Sequence, residues 1–178
     1  MPKRPWSFAL MALLMIAVNL GFYYLPFDYT GLSDYAIAGV FALTAIATAT
    51  IVIPVPYIPV VMHLAQQTSR PIDLILIVVA AGLGSVVGET SGYLVGRAGR
   101  GAVADTRMAR WVNHQMAHPI RSFVTLFALS APPNPLFDVA GMAAGAFNVP
   151  FWRFASAVFA GRCVRMAGIV LVGLSIAG

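Results

Sequence analysis

Glu89, Asp138, Arg162 and Arg165 stand in or beside apolar runs, where charge is expensive, and these are the positions from which chemistry could be done. Glu89 lies inside the run 72–95, Arg162 and Arg165 lie inside 152–176, and Asp138 follows a proline-rich break at 132–135. An ionised side chain at the centre of a membrane helix is unfavourable by about 2.5–3.5 kcal/mol or more. Glu89 should therefore face protein, take up a proton or pair with a cation, and Arg162 and Arg165 are its natural partners. The two arginines are three residues apart on one helical face, so one anion could engage both. A guanidinium fork suits phosphate as well as carboxylate, and the sequence leaves lipid phosphate and Glu89 as competing partners. Structural ion pairing and handling of a proton or head group are both open for Glu89. Asp138 likewise admits two readings. It is a first-turn acid, stabilised by the helix dipole by about 0.3–1 kcal/mol, or it is part of a substrate or coupling site.

The other reactive types carry less. His114 and His118 have helical spacing, but no carboxylate or third ligand lies near them, so no metal site is assigned. Cys163 is the single cysteine, which excludes an internal disulfide and a cysteine-based metal site. No nucleophile–base–acid set can be assembled, and the chain is not read as an enzyme. The glycines at 82, 84, 88, 92 and 96 lie within an apolar run rather than after a strand, so they are no phosphate loop. They are read instead as a small-residue helix face for close packing. No cofactor is expected.

The elements that must hold these residues are set by composition. Of the 178 residues, 60% are hydrophobic and 10% charged, well below the usual charged share of about 25% in soluble domains. A bilayer is the simpler solvent for such a chain. The net charge of +5 comes almost wholly from arginines at the edges of apolar runs. They form no solvated patch, which excludes nucleic acid as a partner.

Trp6 to Leu25 follows Lys3 and Arg4, is long enough to span, and is read as an uncleaved anchor helix with the N-terminus cytoplasmic. Residues 1–34 form this anchor and an outer loop, and 35–178 form one membrane domain. Tyr35 to Ala65 is interrupted by Pro54, Pro56 and Pro59, which cannot continue a helix. Ile72 to Val95 is continuous. Phe123 to Ala131 and Leu136 to Phe147 flank a second break at Pro132, Pro133, Asn134 and Pro135, and Trp152 to Ile176 is the last span. The order of broken hairpin and then full span occurs twice, a pattern that points to a transporter-type site between two halves.

Charge decides how the broken segments sit. If each returns to the side it entered, Ile72 to Val95 ends in the cytoplasm with Arg97, Arg100, Arg107, Arg110 and Arg121, as the positive-inside rule requires. The fold class is therefore all-α integral membrane, with three full transmembrane helices and two re-entrant hairpins. Residues 101–118 suit an interfacial helix, with Val103, Met108, Trp111 and Met116 on an apolar side and Arg107, Arg110 and His114 toward water. A solvated loop is the competing reading there.

Two runs carry a family resemblance. Gly88-Glu-Thr-Ser-Gly-Tyr-Leu-Val-Gly-Arg97 resembles the "G-acid-x-x-G-Y-x-x-G-R" run of the DedA / VTT-domain (SNARE-associated) membrane proteins. Pro135 to Gly145 resembles their "P-x-x-x-x-x-A-G" run after the second break. Phe151-Trp-Arg-Phe and Gly161-Arg-Cys-Val-Arg165 are similar to the family's start of the last span and its Gly-basic motif. The resemblance runs from about Tyr35 to Val172. It implies paired re-entrant hairpins packed tip to tip by an inverted repeat, and movement of phospholipid or polyprenyl phosphate between leaflets. The first break here has no acid, and Ser130 and Leu136 stand where many bacterial members carry arginines.

The function expected is therefore DedA-like lipid movement in a bacterial plasma membrane, with membrane lipids as partners and Glu89, Asp138, Arg162 and Arg165 as the binding or coupling set. The alternative is a non-transporting accessory subunit, packed by its glycine-faced helices against other membrane subunits or a second copy.

Overall fold

The computed structural model describes residues 36–49, 57–68, 70–100, 107–132 and 136–177. Seven helices occur among them: α1 Ala36–Ala49, α2 Tyr57–Gln66, α3 Pro71–Ala98, α4 Arg107–Ala117, α5 Pro119–Ser130, α6 Leu136–Ala146 and α7 Phe151–Ala177. No strand occurs among the described residues. The expected anchor 6–25 and the hairpin tips, with Pro54, Pro56, Pro133, Asn134 and Pro135, lie outside the described residues.

The helices start and stop where backbone chemistry dictates. Pro71 and Pro119 open α3 and α5 at a position whose N–H would have no partner anyway, each after a residue in extended conformation. Asn148 closes α6 with a positive φ of 60°. Asn148 N–H donates to Gly145 O at 3.1 Å and Val149 N–H to Ala144 O at 2.9 Å, which is the Schellman pairing around a left-handed residue.

Lengths separate two kinds of helix. The 28 residues of α3 and 27 of α7 extend about 40 Å at 1.5 Å per residue, and both are apolar enough to cross a membrane. The short helices α1, α2, α5 and α6 have 14, 10, 12 and 11 residues. They reach only about 15–21 Å, short of the ~30 Å hydrocarbon core.

Packing follows a two-fold pattern. The first short helix of each half lies along the long helix that follows it, α1 on α3 and α5 on α7. The return arm crosses to the long helix of the other half, α2 to α7 and α6 to α3, and α3 and α7 also pack together. Glycines mark the equivalent contacts. Gly84 of α3 abuts Phe41 O and Thr44 of α1, while Gly161 of α7 abuts Ser130 and Phe127 O of α5. Gly96 of α3 abuts Met142 of α6, while Gly173 of α7 abuts Met62 of α2. The two glycines have the same spacing in each long helix. Sequence reading alone shows no residue-level repeat; these contacts reveal one.

Two apolar clusters result. Val40, Val61, Leu64, Ile77, Ala81, Met166 and Val170 belong to the first. Tyr93, Met116, Leu126, Phe137, Ala144, Phe154 and Val158 belong to the second. Thus α3 runs from the first cluster to the second and α7 from the second back to the first, in opposite senses.

Four expectations need correction. Pro59 does not break a helix; it sits buried in the first turn of α2, where its missing N–H is not needed. The arm expected to start at Phe123 starts at Pro119, because proline at the first position extends the helix backward. The glycines of α3 do not share one face. Gly82 meets Phe159 and Cys163 of α7, Gly84 and Gly88 meet α1, and Gly96 meets α6. Each four-residue step advances about 40° around a helix, so the series winds from one neighbour to the next. Residues 107–117 form a helix, but Trp111 is 59% exposed while Met116 is buried. Its inward side is Val112 and Met116, packed on the second cluster.

Candidate functional site

A polar layer separates the two apolar clusters. It is built where α3 and α7 pass one another and where α2 and α6 begin. Glu89 of α3 is 4% exposed and Arg162 of α7 is 5% exposed. Arg162 Nη2 donates to Glu89 Oε1 in a buried ion pair. Of the two arginines, it is Arg162 that Glu89 engages.

The first turn of α6 closes this pair from the side. Phe137 is fully buried, and the Arg162 guanidinium carbon stands 5.0 Å from its ring centroid, within cation–π range. The adjacent Asp138 is half-buried and within electrostatic range of both Glu89 and Arg162. One turn along α7, Arg165 is within range of Glu89, Arg162 and Tyr57, the first residue of α2. All four charged residues singled out from sequence are therefore brought together, and their formal charges sum to zero.

The layer is not fully satisfied. Ser85 Oγ, Arg162 Nε and Arg165 Nε are buried and have no hydrogen-bond partner among the described residues. Ser85 lies one turn before Glu89 on the same side of α3. Tyr57, Phe137 and Ser85 were not singled out by sequence reading. Tyr57 follows Pro56 directly and Phe137 lies two residues after Pro135, and that nearness to the breaks was the available signal. Of the prolines at the two breaks, the described ones are Pro59, buried within α2, and Pro132, exposed after α5.

The run from Gly88 to Arg97 has distinct duties along α3. Gly88 allows α1 to approach, Glu89 enters the polar layer, and Gly96 allows α6 to approach. Tyr93 Oη donates to Val149 O at 2.7 Å and receives a bond from Arg97 Nη1 at 3.0 Å. Its ring stacks on Phe154 at 4.9 Å. This pins the turn between α6 and α7 to α3, and so fixes Arg162 relative to Glu89.

The VTT domain family model matches residues 37–175. The chain is 30% identical over 105 residues to "Vacuole membrane protein KMS1" of Arabidopsis thaliana, covering 47% of this chain and 25% of that protein. It is 30% identical over 112 residues to "Vacuole membrane protein 1 homolog" of Dictyostelium discoideum, covering 49% and 28%. Against "Vacuole membrane protein 1" of Homo sapiens it is 30% identical over 104 residues, covering 47% and 26%. The matched stretch thus spans about a quarter of the length of these relatives. No solved structure matches the chain. With its helical architecture and a match that takes in all four short hydrophobic helices and both long ones, the chain belongs to the VTT domain family of membrane proteins.

Proposed function

We propose that this chain carries lipid, phospholipid or polyprenyl phosphate, between the leaflets of its membrane. The observation that carries the proposal is the buried polar layer of Glu89, Arg162, Arg165 and Asp138 between two apolar clusters. A polar site midway along two helices of spanning length is costly to keep in hydrocarbon, and a passing head group gives it a use. The hairpin arms are too short to cross, which supports re-entrant hairpins, and the opposed long helices support an inverted repeat.

Arg97, Arg110, Arg121 and Arg153 all lie toward the end occupied by the second cluster, together with Trp111 and the 81% exposed Trp152. Basic and aromatic residues at one end favour a cytoplasmic, interfacial position for it. On this reading the N-terminus is cytoplasmic and the host membrane is a bacterial plasma membrane.

The test is leaflet exchange in liposomes holding the purified chain, with fluorescent phospholipid and polyprenyl-phosphate analogues, beside Glu89→Gln. Exchange above protein-free vesicles that falls in the variant is the expected result. No exchange by folded, inserted protein would refute lipid carriage and favour an accessory subunit. The glycine contacts that such a subunit would offer to partners are filled here by α1, α6 and α7 of the same chain.

A further inference from the structure

The two short helices that cross to the opposite half, α2 and α6, correspond in the two-fold pattern but are not held alike. α6 meets α3 backbone to backbone. A side chain at Gly96 of α3 would run into Met142 O and Cα of α6, and one at Gly145 of α6 would run into Tyr93 O and Arg97 N of α3. The turn after α6 is tied down as well. Tyr93 Oη donates to Val149 O at 2.7 Å, and Phe151 meets the Tyr93 ring edge to face at 5.7 Å. Backbones that approach this closely at small residues leave no side chains between them to give way.

α2 meets α7 less closely. At Gly173, the place that matches Gly96, an added Cβ would lie 3.3 Å from Cβ and Cγ of Met62 and 3.4 Å from its Cα. Gln66 Nε2 donates to Gly173 O at 2.9 Å. Apart from α7, α2 rests on α1 and only slightly on α3, whereas α6 packs extensively on α3 and also touches α5. A pliable methionine side chain beside a neutral hydrogen bond makes a seat that can part and re-form, as packed helices do when they shear past one another.

What α2 covers gives such a motion its consequence. Tyr57, its first residue, is buried in the first cluster with Met166 and stands within electrostatic range of the half-buried Arg165. Val61 and Leu64 fill the same cluster. Withdrawal of α2 from α7 therefore uncovers the polar layer from the end of the first cluster, away from Trp111 and Trp152.

We infer that α2 is the gate of this fold: it moves off α7 while α6 stays fixed on α3, and Gln66 is the latch that holds it shut. The inference rests on the lipid-carrying reading and supplies the point at which a head group enters the site.

The test begins with amide hydrogen exchange of the full chain in micelles, read by mass spectrometry. Amides of α2 should exchange at least about tenfold faster than those of α6, as expected for an element of lower local stability. Gln66→Leu should speed α2 by about fivefold, the scale of one neutral hydrogen bond, and leave α6 unchanged. A second arm locks the gate. In a Cys163→Ala background, Met62→Cys with Gly173→Cys sets the two Cβ atoms 3.3 Å apart, close to the ~3.5–4.5 Å of a disulfide. Oxidation should bring α2 to the protection of α6 and stop lipid movement between leaflets in liposomes, and reduction should restore both. Protection of α2 equal to that of α6 in the parent chain overturns the inference, and so does lipid movement undiminished by the formed disulfide. A parent chain that moves no lipid, while α2 exchanges quickly and Gln66→Leu speeds it, sinks lipid carriage and leaves the mobile helix standing.

Discussion

Removing Glu89 alone should harm the protein more than removing Glu89 and Arg162 together. Both side chains are almost wholly buried, at 4% and 5% exposure, and Arg162 bonds directly to Glu89. Glu89→Leu leaves a guanidinium in an apolar layer with Phe137 against it, the half-buried Asp138 as the acid within electrostatic range and the like charge of Arg165 one turn away. Breaking a buried pair from one side destabilises by about 3–5 kcal/mol, whereas replacing both partners with apolar groups of similar size is neutral or stabilising by about 1–4 kcal/mol. Glu89→Leu should therefore lower the unfolding midpoint by roughly 10 °C for a chain of this size. Glu89→Leu/Arg162→Met should recover most of that loss. The assay is thermal and SDS-induced unfolding in detergent, followed by circular dichroism, with Arg162→Met completing the cycle. A double variant as unstable as the sum of the two singles would show that the pair is not coupled, and the account of the polar layer would fail.

Two further substitutions test the packing. Gly88→Ala should destabilise by about 1–3 kcal/mol, because the added carbon runs into Ala45 O, Thr48 and the Ala49 backbone of α1; Gly168→Ala, in open space, should be neutral or stabilising in the same unfolding assay. Asn148→Ala should lower stability by about 1 kcal/mol and Asn148→Gly should not, since the residue holds a φ of 60° that few side chains tolerate; equal effects would contradict the left-handed cap.

Much of the site was legible because charge in an apolar run has few innocent explanations. Glu89, Asp138, Arg162 and Arg165 could be picked out on that ground alone, and the structure gathers them. What sequence left open was which arginine meets Glu89. Both lie on one helical face, and the choice depends on how α3 crosses α7 beside Gly82 and Phe159. Tyr57 and Phe137 escaped notice because aromatic residues are ordinary in such a chain, and Ser85 because a lone serine in a helix usually bonds its own backbone. The two long helices were also readable, since the runs 72–95 and 152–176 contain no proline.

The two-fold relation was hidden for a physical reason. Counted from the matching glycines, Ser85 corresponds to Arg162 and Glu89 to Met166, so the halves share a backbone arrangement while differing at the polar positions. Close approach demands small residues at both copies, whereas the site needs one acid and one base. Sequence comparison between the halves therefore meets mismatch at the most informative places.

The exchange of return arms between the halves also bears on the order in which the molecule can be completed. Gln66 at the end of α2 donates to Gly173 O of α7 at 2.9 Å, across 107 residues, and Gly173 is where Met62 of α2 seats. During synthesis the first hairpin emerges well before this seat exists. Until α7 is inserted, α2 has only α1 and a slight contact with α3 to rest on. Assembly of this face thus waits on α7: a chain stalled before it holds an early α2 with an open flank, which membrane quality control can recognise.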